Sequence, residues 1–316
     1  MMNMRAFSLL ATFLLLLPGL SAREDGGPHS PMENGRALPL GTAYRSGDLG
    51  RLQGAEGESY QGMDICKGIL LSLQNTGIAT VYKLDGQVPT FHSRFKIGSY
   101  DPNNHCNVVS FGREFFDRND PLPVVYVSHC QKKPIRGFKD LLFVERLAAD
   151  LKSSTLVQTI YFDDVQKDFG YALQWVVDAK HGFLYGYGNT TRDKDFAGNR
   201  HRIIKFALPA LSDSNADGMV TLKPSDALEN YLIEDSGVTF ATIGQGLFVR
   251  RGRLFMPVGL GTAQYPSYLL VWNLKKRRME KVLDLGDGTH GELEDLSFYK
   301  GRYYLQGQDD LFWLKF

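Results

Sequence analysis

Short runs of alternating hydrophobic and polar residues, separated by tight turns, recur along most of the chain. The segment 61–70 has the pattern of a strand, a Lys-Gly turn and a second strand. Glycine supplies the positive φ that such turns require. The same pattern returns at 245–254 and 294–303, and a looser copy, one residue longer at its turn, occupies 174–184. These segments predict a series of similar β-hairpins along the chain.

Each hairpin is followed by a further strand, which makes five repeating units. The second unit has its own hairpin, with strands at 105–111 and 124–128. The strands that follow the hairpins share one pattern and lie at 78–84, 142–147, 202–206, 268–274 and 311–316. Fourth strands are predicted at 90–97, 156–162, 219–222 and 279–285.

Units of this kind, recurring at roughly 50 to 70 residues without an amphipathic helix between them, are typical of propeller blades. We therefore predict an all-β fold, a five-bladed β-propeller that occupies residues 41–316 as a single domain. The last unit ends after three strands, so we expect residues 37–52 to supply its outer strand and close the ring. A six-bladed ring that uses the poorly patterned residues 209–236, and a β-sandwich, stay open as alternatives.

The first forty residues have a different character. Residues 1–22 have a charged N-terminal region, an apolar stretch and a small residue at a cleavage point, which are the three parts of a secretory signal peptide. The apolar run is shorter than the roughly 18 to 20 residues that span a membrane, so we expect cleavage and no membrane span in the mature chain. Residues 23–40, rich in glycine, proline and charge, predict a flexible leader. The protein is thus expected to be secreted across the inner membrane, to the periplasm or the cell exterior.

Charge and cysteine content narrow the range of partners. The chain has 36 Lys and Arg residues against 35 Asp and Glu residues, without a basic block. Nucleic acid is therefore not expected as a partner, because its binding needs a clustered cationic face. Three cysteines, Cys66, Cys106 and Cys130, are too few for a disulfide scaffold, although one pair could form a bridge.

Two His-Cys pairs raise the question of a metal site. His105-Cys106 and His129-Cys130 offer ligand types that zinc uses. Adjacent residues on a strand point to opposite faces, so a histidine and the next cysteine rarely share one metal. A calcium ion held by Asp64 and Glu294 across the channel is no better supported. We expect no metal and no other cofactor.

Polar residues open the innermost strand of every predicted blade. These strands line the central channel of a propeller, and ligands usually bind at one mouth of it. The candidate ligand-binding residues are Gln61, Asp64, His105, Asn107, Gln174, Gln245, Glu292 and Glu294, with Asp295 beside them. Convergent polar groups can hold a small polar ligand, a cation or ordered water. In the alternative interpretation they only cap the strands and fill a wet channel.

The leading hypothesis is an exported, non-catalytic module for ligand binding or interaction, with its site at the channel mouth. Its partner would be a small polar ligand, a glycan or a protein. The alternative is a carbohydrate-active or lactone-type hydrolase that uses Glu294 or Asp64. Glycoside hydrolysis needs two carboxyl groups roughly 5 to 10 Å apart, whereas the predicted ring is rich in glutamine. A purely structural role in an assembly is a third interpretation.

Several short motifs carry a resemblance to a known group of proteins. They are Gln61-Gly62-Met63, Asn104-His105-Cys106-Asn107, Ser110-Phe111-Gly112, residues 123–128 and Glu292-Leu293-Glu294-Asp295. Over residues 60–316 the chain resembles uncharacterised secreted propellers of gut-associated bacteria. It departs from that group at Cys106, where Ala is expected, and at Leu293, where Pro is expected. A more distant similarity is to lactonase-like and quinoprotein-like propellers, which implies a fold and no established activity.

Overall fold

The computed structural model describes residues 32–33, 36–37, 43–54, 59–86, 88–130, 133–190, 200–233, 244–286, 288–308 and 310–316. The predicted signal peptide lies outside the described residues. The predicted leader lies outside them too, apart from two paired strands, β1 (Met32–Glu33) and β2 (Arg36–Ala37). A search of the described part finds no helix long and apolar enough to cross a membrane.

The remaining strands form five sheets, numbered here as blades in chain order. Blade 1 contains β4 (Tyr60–Cys66), β5 (Ile69–Gln74), β6 (Ile78–Lys83) and β7 (Thr90–Lys96). Blade 2 contains β8 (Cys106–Phe111), β9 (Val125–His129), β10 (Leu142–Leu147), β11 (Ser154–Phe162) and β15 (Met219–Leu222). Blade 3 contains β12 (Tyr171–Asp178), β13 (Phe183–Asn189), β14 (His201–Ala207) and β16 (Glu229–Ile233).

Blade 4 contains β17 (Phe248–Arg250), β18 (Arg253–Val258), β19 (Tyr268–Asn273) and β20 (Arg278–Asp284). Blade 5 contains β21 (Leu293–Tyr299), β22 (Arg302–Gly307), β23 (Leu311–Lys315) and β3 (Arg45–Asp48). The first strands of the blades, β4, β8, β12, β17 and β21, contact one another around a ring. The predicted all-β, five-bladed propeller is therefore confirmed.

Side chains between neighbouring blades hold the ring together. Trp175, Phe162 and Phe206 pack together between blades 2 and 3, with ring centroids 5.6 to 6.2 Å apart, and the Phe162–Trp175 pair meets edge to face. Trp272 and Tyr185 belong to the cluster between blades 3 and 4. Each fully buried aromatic side chain contributes about 2 to 3 kcal/mol of transfer free energy, so the interfaces between blades are the main apolar core.

The hairpin turns repeat in structure as they do in sequence. Three of these turns have two successive residues with positive φ, between 43° and 83°: Lys67-Gly68, Arg251-Gly252 and Lys300-Gly301. Two positive φ values in succession define the type I′ turn, whose twist matches that of the flanking strands. The Lys/Arg-Gly signal therefore predicted the turn chemistry correctly.

The ring closes where the sequence predicted. Strand β3 lies antiparallel to β23, with Ser46 opposite Leu314 and Asp48 opposite Phe312. A segment that precedes blade 1 thus completes blade 5. Pairing of first and last segments covers the sheet edge of β23, which would otherwise offer unpaired backbone groups to other chains.

One predicted strand belongs to a different blade. Residues Met219–Leu222 were expected as the fourth strand of blade 3, but β15 instead pairs in parallel with β11 as a fifth strand of blade 2. The chain then passes a 3-10 turn at Pro224–Asp226 and returns as β16, which is the fourth strand of blade 3. The poorly patterned residues 209–233 thus extend blades 2 and 3, and the described part contains no sixth blade.

Candidate functional site

A β-bulge interrupts the beginning of the innermost strand in every blade. In blade 5, Leu293 pairs with Gly307 and Asp295 with Gln306, so Glu294 is an extra residue on the inner strand. In the same way, Asn107 is the extra residue of blade 2.

The other three blades repeat this irregularity at the same level. It falls between Tyr60 and Met63 in blade 1 and between Tyr171 and Gln174 in blade 3. In blade 4, Gly244 pairs with Val258 and Phe248 with Phe255, so the inner strand again holds one extra residue. Bulges re-aim side chains and end regular pairing. Here they gather the polar strand starts at one end of the channel, the channel mouth.

Hydrogen bonds connect the mouth residues of blades 4, 5 and 1. The Gln245 Nε2 group donates to Glu292 Oε1 at 2.7 Å and to the Gly259 carbonyl oxygen at 3.3 Å. The Gln61 Nε2 group donates to the Tyr60 carbonyl oxygen at 2.9 Å, and the Gln61 side chain also interacts with the Glu294 carboxylate. Two glutamines and two glutamates, predicted as candidates from the sequence, therefore lie together across three blades.

A second group joins blades 2 and 3. The Asn107 amide nitrogen lies 3.1 Å from the Ser128 carbonyl oxygen and 3.2 Å from that of His105, and the Asn107 side-chain oxygen accepts from Gln174 Nε2 at 3.2 Å. These contacts fix which end of the Asn107 amide is oxygen. The His105 ring, half-buried, contacts the Cys130 carbonyl oxygen through Nδ1 at 3.2 Å. The Gln174 side chain is only 6 % exposed, and its Oε1 atom has no hydrogen-bond partner.

The environment of Glu294 disfavours its charged form. Burial raises the pKa of Glu294 well above its ordinary value, the nearby Glu292 carboxylate raises it further, and the hydrogen bond from Gln61 acts in the opposite direction. A buried carboxylate of this kind either holds its proton or requires a positively charged partner.

Asp64, also predicted as a site residue, has a different environment. Its Oδ1 atom accepts from the Ser297 hydroxyl at 2.5 Å and from the Ile65 N–H at 2.7 Å, and its Oδ2 atom accepts from the Phe111 N–H at 2.7 Å. Burial raises the pKa of Asp64 to about 6, partly offset by these hydrogen bonds. Asp64 therefore links blade 1 to blades 5 and 2 with both oxygen atoms engaged.

The repeated Gln-Gly dipeptide has a steric reason. A Cβ atom on Gly62 would lie 2.7 Å from the Cys106 carbonyl oxygen, and a Cβ atom on Gly246 would lie 2.3 Å from the Glu294 carbonyl oxygen. The inner strands of adjacent blades approach too closely here for any side chain. The glycines thus let the mouth residues of neighbouring blades meet.

The sequence analysis did not predict the serines that form hydrogen bonds between the inner strands of adjacent blades. Ser110 accepts from the Val177 N–H at 3.2 Å and thereby joins blades 2 and 3, while Ser297 joins blades 5 and 1. A usable signal existed. A small polar residue stands three positions after the mouth residue in three blades, at Asp64, Ser110 and Ser297.

A buried Tyr–His pair beside the mouth was also missed. The Tyr187 hydroxyl is hydrogen-bonded to His201 Nδ1 on the adjacent strand. Burial lowers the pKa of His201 to about 3, so its ring is neutral. Tyr187 lies directly opposite Gln174 in the blade 3 sheet, so the pair lies next to the mouth, on the second and third strands of that blade.

A second concave region lies at the opposite end of the channel, between blades 3 and 4. It is a cleft of about 530 Å³ with a charged centre, where Glu229 binds Lys205 at 2.9 Å and Arg277 at 3.1 Å. Arg277 also stacks on the Tyr231 ring, 4.2 Å from its centroid. In this cleft, called the far cleft below, the central Glu229 carboxylate is thus balanced by two cationic side chains.

The structure also places the candidate metal ligands and the cysteines. In the described ranges, no group of three or more His, Cys, Asp or Glu side chains is arranged to hold a metal ion. Cys66, Cys106 and Cys130, all within these ranges, form no disulfide bond.

Fold and site together define the class: a five-bladed β-propeller with a polar ring of amides and carboxylates at one channel mouth. No family model matches the chain, and no curated protein matches it. Among solved structures, it is similar to a glutaminyl cyclase from Myxococcus xanthus, with 11 % identity, 85 % of this chain and 95 % of that chain covered, and a TM-score of 0.47.

Two further solved structures have the same level of similarity. A PQQ-bound aldose sugar dehydrogenase from Streptomyces coelicolor is 11 % identical, with 88 % and 99 % of the two chains covered and a TM-score of 0.45. A protein of unknown function from Bacteroides thetaiotaomicron is 10 % identical, with 86 % and 76 % covered and a TM-score of 0.45. Similarity at this level concerns the fold alone. The expected membership of a group from gut-associated bacteria stays a prediction.

Proposed function

We propose that the protein is an exported, non-catalytic module that binds a small polar ligand, a glycan being the favoured class, at the channel mouth. The observation that carries this proposal is the pair of hydrogen-bonded groups at the mouth, one formed by blades 4, 5 and 1 and the other by blades 2 and 3. Side-chain amides and carboxylates are the groups that bind hydroxyl-rich ligands. Secretion stays part of the proposal, on the strength of the sequence of residues 1–22.

The distribution of unsatisfied polar groups favours the mouth over the far cleft. Gln174 Oε1 is buried and has no hydrogen-bond partner. Glu294 has an amide as its hydrogen-bond partner and a like charge beside it. A buried polar group without a partner costs about 1 to 3 kcal/mol. A ligand that supplies donors at the mouth recovers this free energy.

A hydrolase that uses Glu294 or Asp64 is the alternative. The raised pKa of Glu294 favours it, because a general acid must hold its proton near neutral pH. Against it, both oxygen atoms of Asp64 accept hydrogen bonds from within the protein. The hydrolase hypothesis predicts turnover of glycosides or lactones that Glu294→Gln abolishes while the fold stays intact.

The test is thermal unfolding of the mature protein against a panel of oligosaccharides and divalent cations. A ligand that binds only the folded state stabilises it by about 2.7 kcal/mol at a hundredfold excess over its Kd. We expect an oligosaccharide to raise the midpoint and Gln61→Ala to abolish the increase. The matched control is Gln53→Ala, an exposed glutamine outside the channel. A panel without any shift, or a shift that Gln61→Ala leaves unchanged, would contradict the proposal.

A further inference from the structure

The end of the ring opposite the mouth, called the far end below, carries an exposed cation in every blade. Each innermost strand starts at the mouth and ends in the connection to the second strand of its blade, so these five connections share the far end. Every one of them presents an exposed Lys or Arg: Lys67, Arg113, Lys180, Arg251 and Lys300. Positive charges that are far apart in the sequence therefore collect at one end of the molecule.

Blade 4 places two connections side by side at the far end. Asn273 pairs with both Arg253 and Arg278, so the connection between β19 and β20 adjoins the turn between β17 and β18. The first turn of blade 5 comes next around the ring. The three connections occupy residues 250–253, 274–280 and 299–302.

These three connections are strongly basic. Together they hold nine Lys and Arg residues: Arg250, Arg251, Arg253, Lys275, Lys276, Arg277, Arg278, Lys300 and Arg302. Their one acid is Glu280, which binds Arg253 at 2.6 Å, and Glu229 of blade 3 binds Arg277 at 3.1 Å. Two carboxylates against nine cations leave a surplus of positive charge, although the charge of the whole chain is nearly balanced.

Aromatic rings orient two of these arginines. The Arg250 guanidinium lies 3.4 Å from the centroid of the Phe298 ring, and that of Arg302 lies 4.8 Å from the centroid of the Trp313 ring. A guanidinium donates in its own plane, so stacking on a ring holds the group without using its donors. Such groups suit oxygen anions, phosphate above all.

Exposed apolar side chains share the far end with the cations. Of the six large apolar side chains that are exposed in the described part of the chain, four belong to connections at this end: Val88, Phe115, Phe116 and Leu228. Lys67 lies over the Phe115 ring at 5.0 Å and Arg146 over the Phe116 ring at 4.9 Å. Apolar and cationic side chains on one face are typical of proteins that lie on lipid headgroups.

We propose that the far end of the propeller binds the surface of a bilayer that contains anionic lipids. The Lys and Arg side chains bind headgroup phosphates, and Phe115 and Phe116 enter the boundary between headgroups and acyl chains. An acidic polysaccharide or a nucleic acid would use the charges but leave the apolar side chains in water. Bound in this way, the protein turns its channel mouth away from the membrane. The inference goes beyond the ligand of the mouth and does not depend on it.

The experiment is sedimentation of the mature protein with vesicles, made of phosphatidylcholine alone or of phosphatidylcholine with a third of phosphatidylglycerol. Because each Lys or Arg near an anionic surface strengthens binding about fivefold, we expect at least about tenfold stronger partition into the anionic vesicles. High salt should reduce this partition, since it screens exposed charges.

A charge variant locates the binding face. It neutralises three exposed cations of the far end: Arg251→Gln, Lys275→Gln and Lys300→Gln. We expect the partition into anionic vesicles to fall about 100-fold. The matched control makes the same change in net charge at the mouth end, with three exposed lysines from the segments that follow β9 and β11: Lys133→Gln, Lys139→Gln and Lys167→Gln. It should keep at least most of the binding.

An apolar variant separates a lipid surface from a soluble acidic polymer. Phe116, 49 % exposed, is changed to Ser, and its control is Val165→Ser, a 68 % exposed residue that follows β11 at the mouth end. A half-exposed Phe that enters lipid should contribute about fivefold to the partition. Retention of the same variants on a dextran sulfate resin measures binding to charge alone, and Phe116→Ser should not change it.

Each outcome supports or overturns the proposal. Equal partition into both vesicle types, no partition into either, or full binding by the charge variant overturns it. If the charge variant loses binding while Phe116→Ser keeps it, the far end binds acidic polymers and the lipid proposal is wrong. Gln61→Ala, at the mouth, should leave vesicle binding unchanged, so the failure of this inference and the failure of the proposed function are seen separately.

Discussion

The Asp295 carboxylate of blade 5 accepts a hydrogen bond from the Met63 N–H of blade 1, at 2.9 Å between Oδ2 and N. The same oxygen accepts from the Val109 N–H of blade 2 at 3.3 Å, and Oδ1 accepts from the Leu296 N–H. Asp295 is fully buried, and burial raises its pKa well above the ordinary value. One side chain thus joins three blades at the centre of the ring.

Asp295→Ala leaves the Met63 and Val109 N–H groups buried without partners. Each unsatisfied group costs about 1 to 3 kcal/mol, so we expect the free energy of unfolding to fall by about 2 to 6 kcal/mol. Asp295→Asn keeps one oxygen and should lose less. Urea denaturation of the wild type, Asp295→Asn and Asp295→Ala measures this predicted order of stability. Equal stability of wild type and Asp295→Ala would show that this carboxylate does not hold the blades together.

Gly246→Ala and Gly62→Ala should both destabilise the propeller. Their Cβ atoms would meet backbone atoms of the next blade at 2.3 Å and 2.7 Å, and backbone cannot move aside as a side-chain end does. We expect losses of at least about 1 to 3 kcal/mol, the range for overpacking. Gly86→Ala is the control, because its Cβ atom meets nothing within 4 Å. Thermal unfolding midpoints that are equal for all three variants would contradict the close approach of the inner strands.

Much of the fold could be predicted because its signals are local. Type I′ turns and alternating strands identified the five blades, and the missing outer strand of blade 5 predicted the closure by β3. The partner of Met219–Leu222 could not be predicted. Its pattern suits any sheet edge, and nothing in it distinguishes β11, the observed partner, from β14.

Part of the site could also be predicted, because its signals are local. Polar strand starts are visible in sequence, and the structure brings six of the eight candidates into the two hydrogen-bonded groups of the mouth: Gln61, Asn107, Gln174, Gln245, Glu292 and Glu294. His105 contacts a backbone carbonyl oxygen beside them, and Asp64 instead accepts a hydrogen bond from Ser297 of the neighbouring blade. The bulges could not be predicted, because an extra residue is defined only against a paired strand.

Asp64 should make stability depend on pH. Its pKa is near 4 in the unfolded chain and about 6 in the folded protein, so the folded state binds more protons between those values. The stabilisation is fully present below pH 4 and is lost as pH rises towards 6, by at most about 3 kcal/mol. Asp64→Asn removes this titration. Unfolding free energies of both proteins from pH 4 to 7 test it, and identical pH profiles would contradict it.

Gln174→Met separates a binding role from a structural one. The change removes both the unsatisfied Oε1 atom and the hydrogen bond to Asn107, and these contributions oppose each other. We expect the free energy of unfolding to change by less than about 1 kcal/mol. Affinity for the ligand found in the panel should fall clearly. A large loss of stability with unchanged affinity would assign Gln174 to the framework alone.

The most direct test of the central claim is the crystal structure of the protein with the oligosaccharide that binds most tightly. The account predicts that the ligand lies at the channel mouth, within hydrogen-bond distance of Gln61, Gln174 and Glu294. A ligand seated in the far cleft beside Glu229 and Arg277, or on the outer surface of a blade, would contradict it.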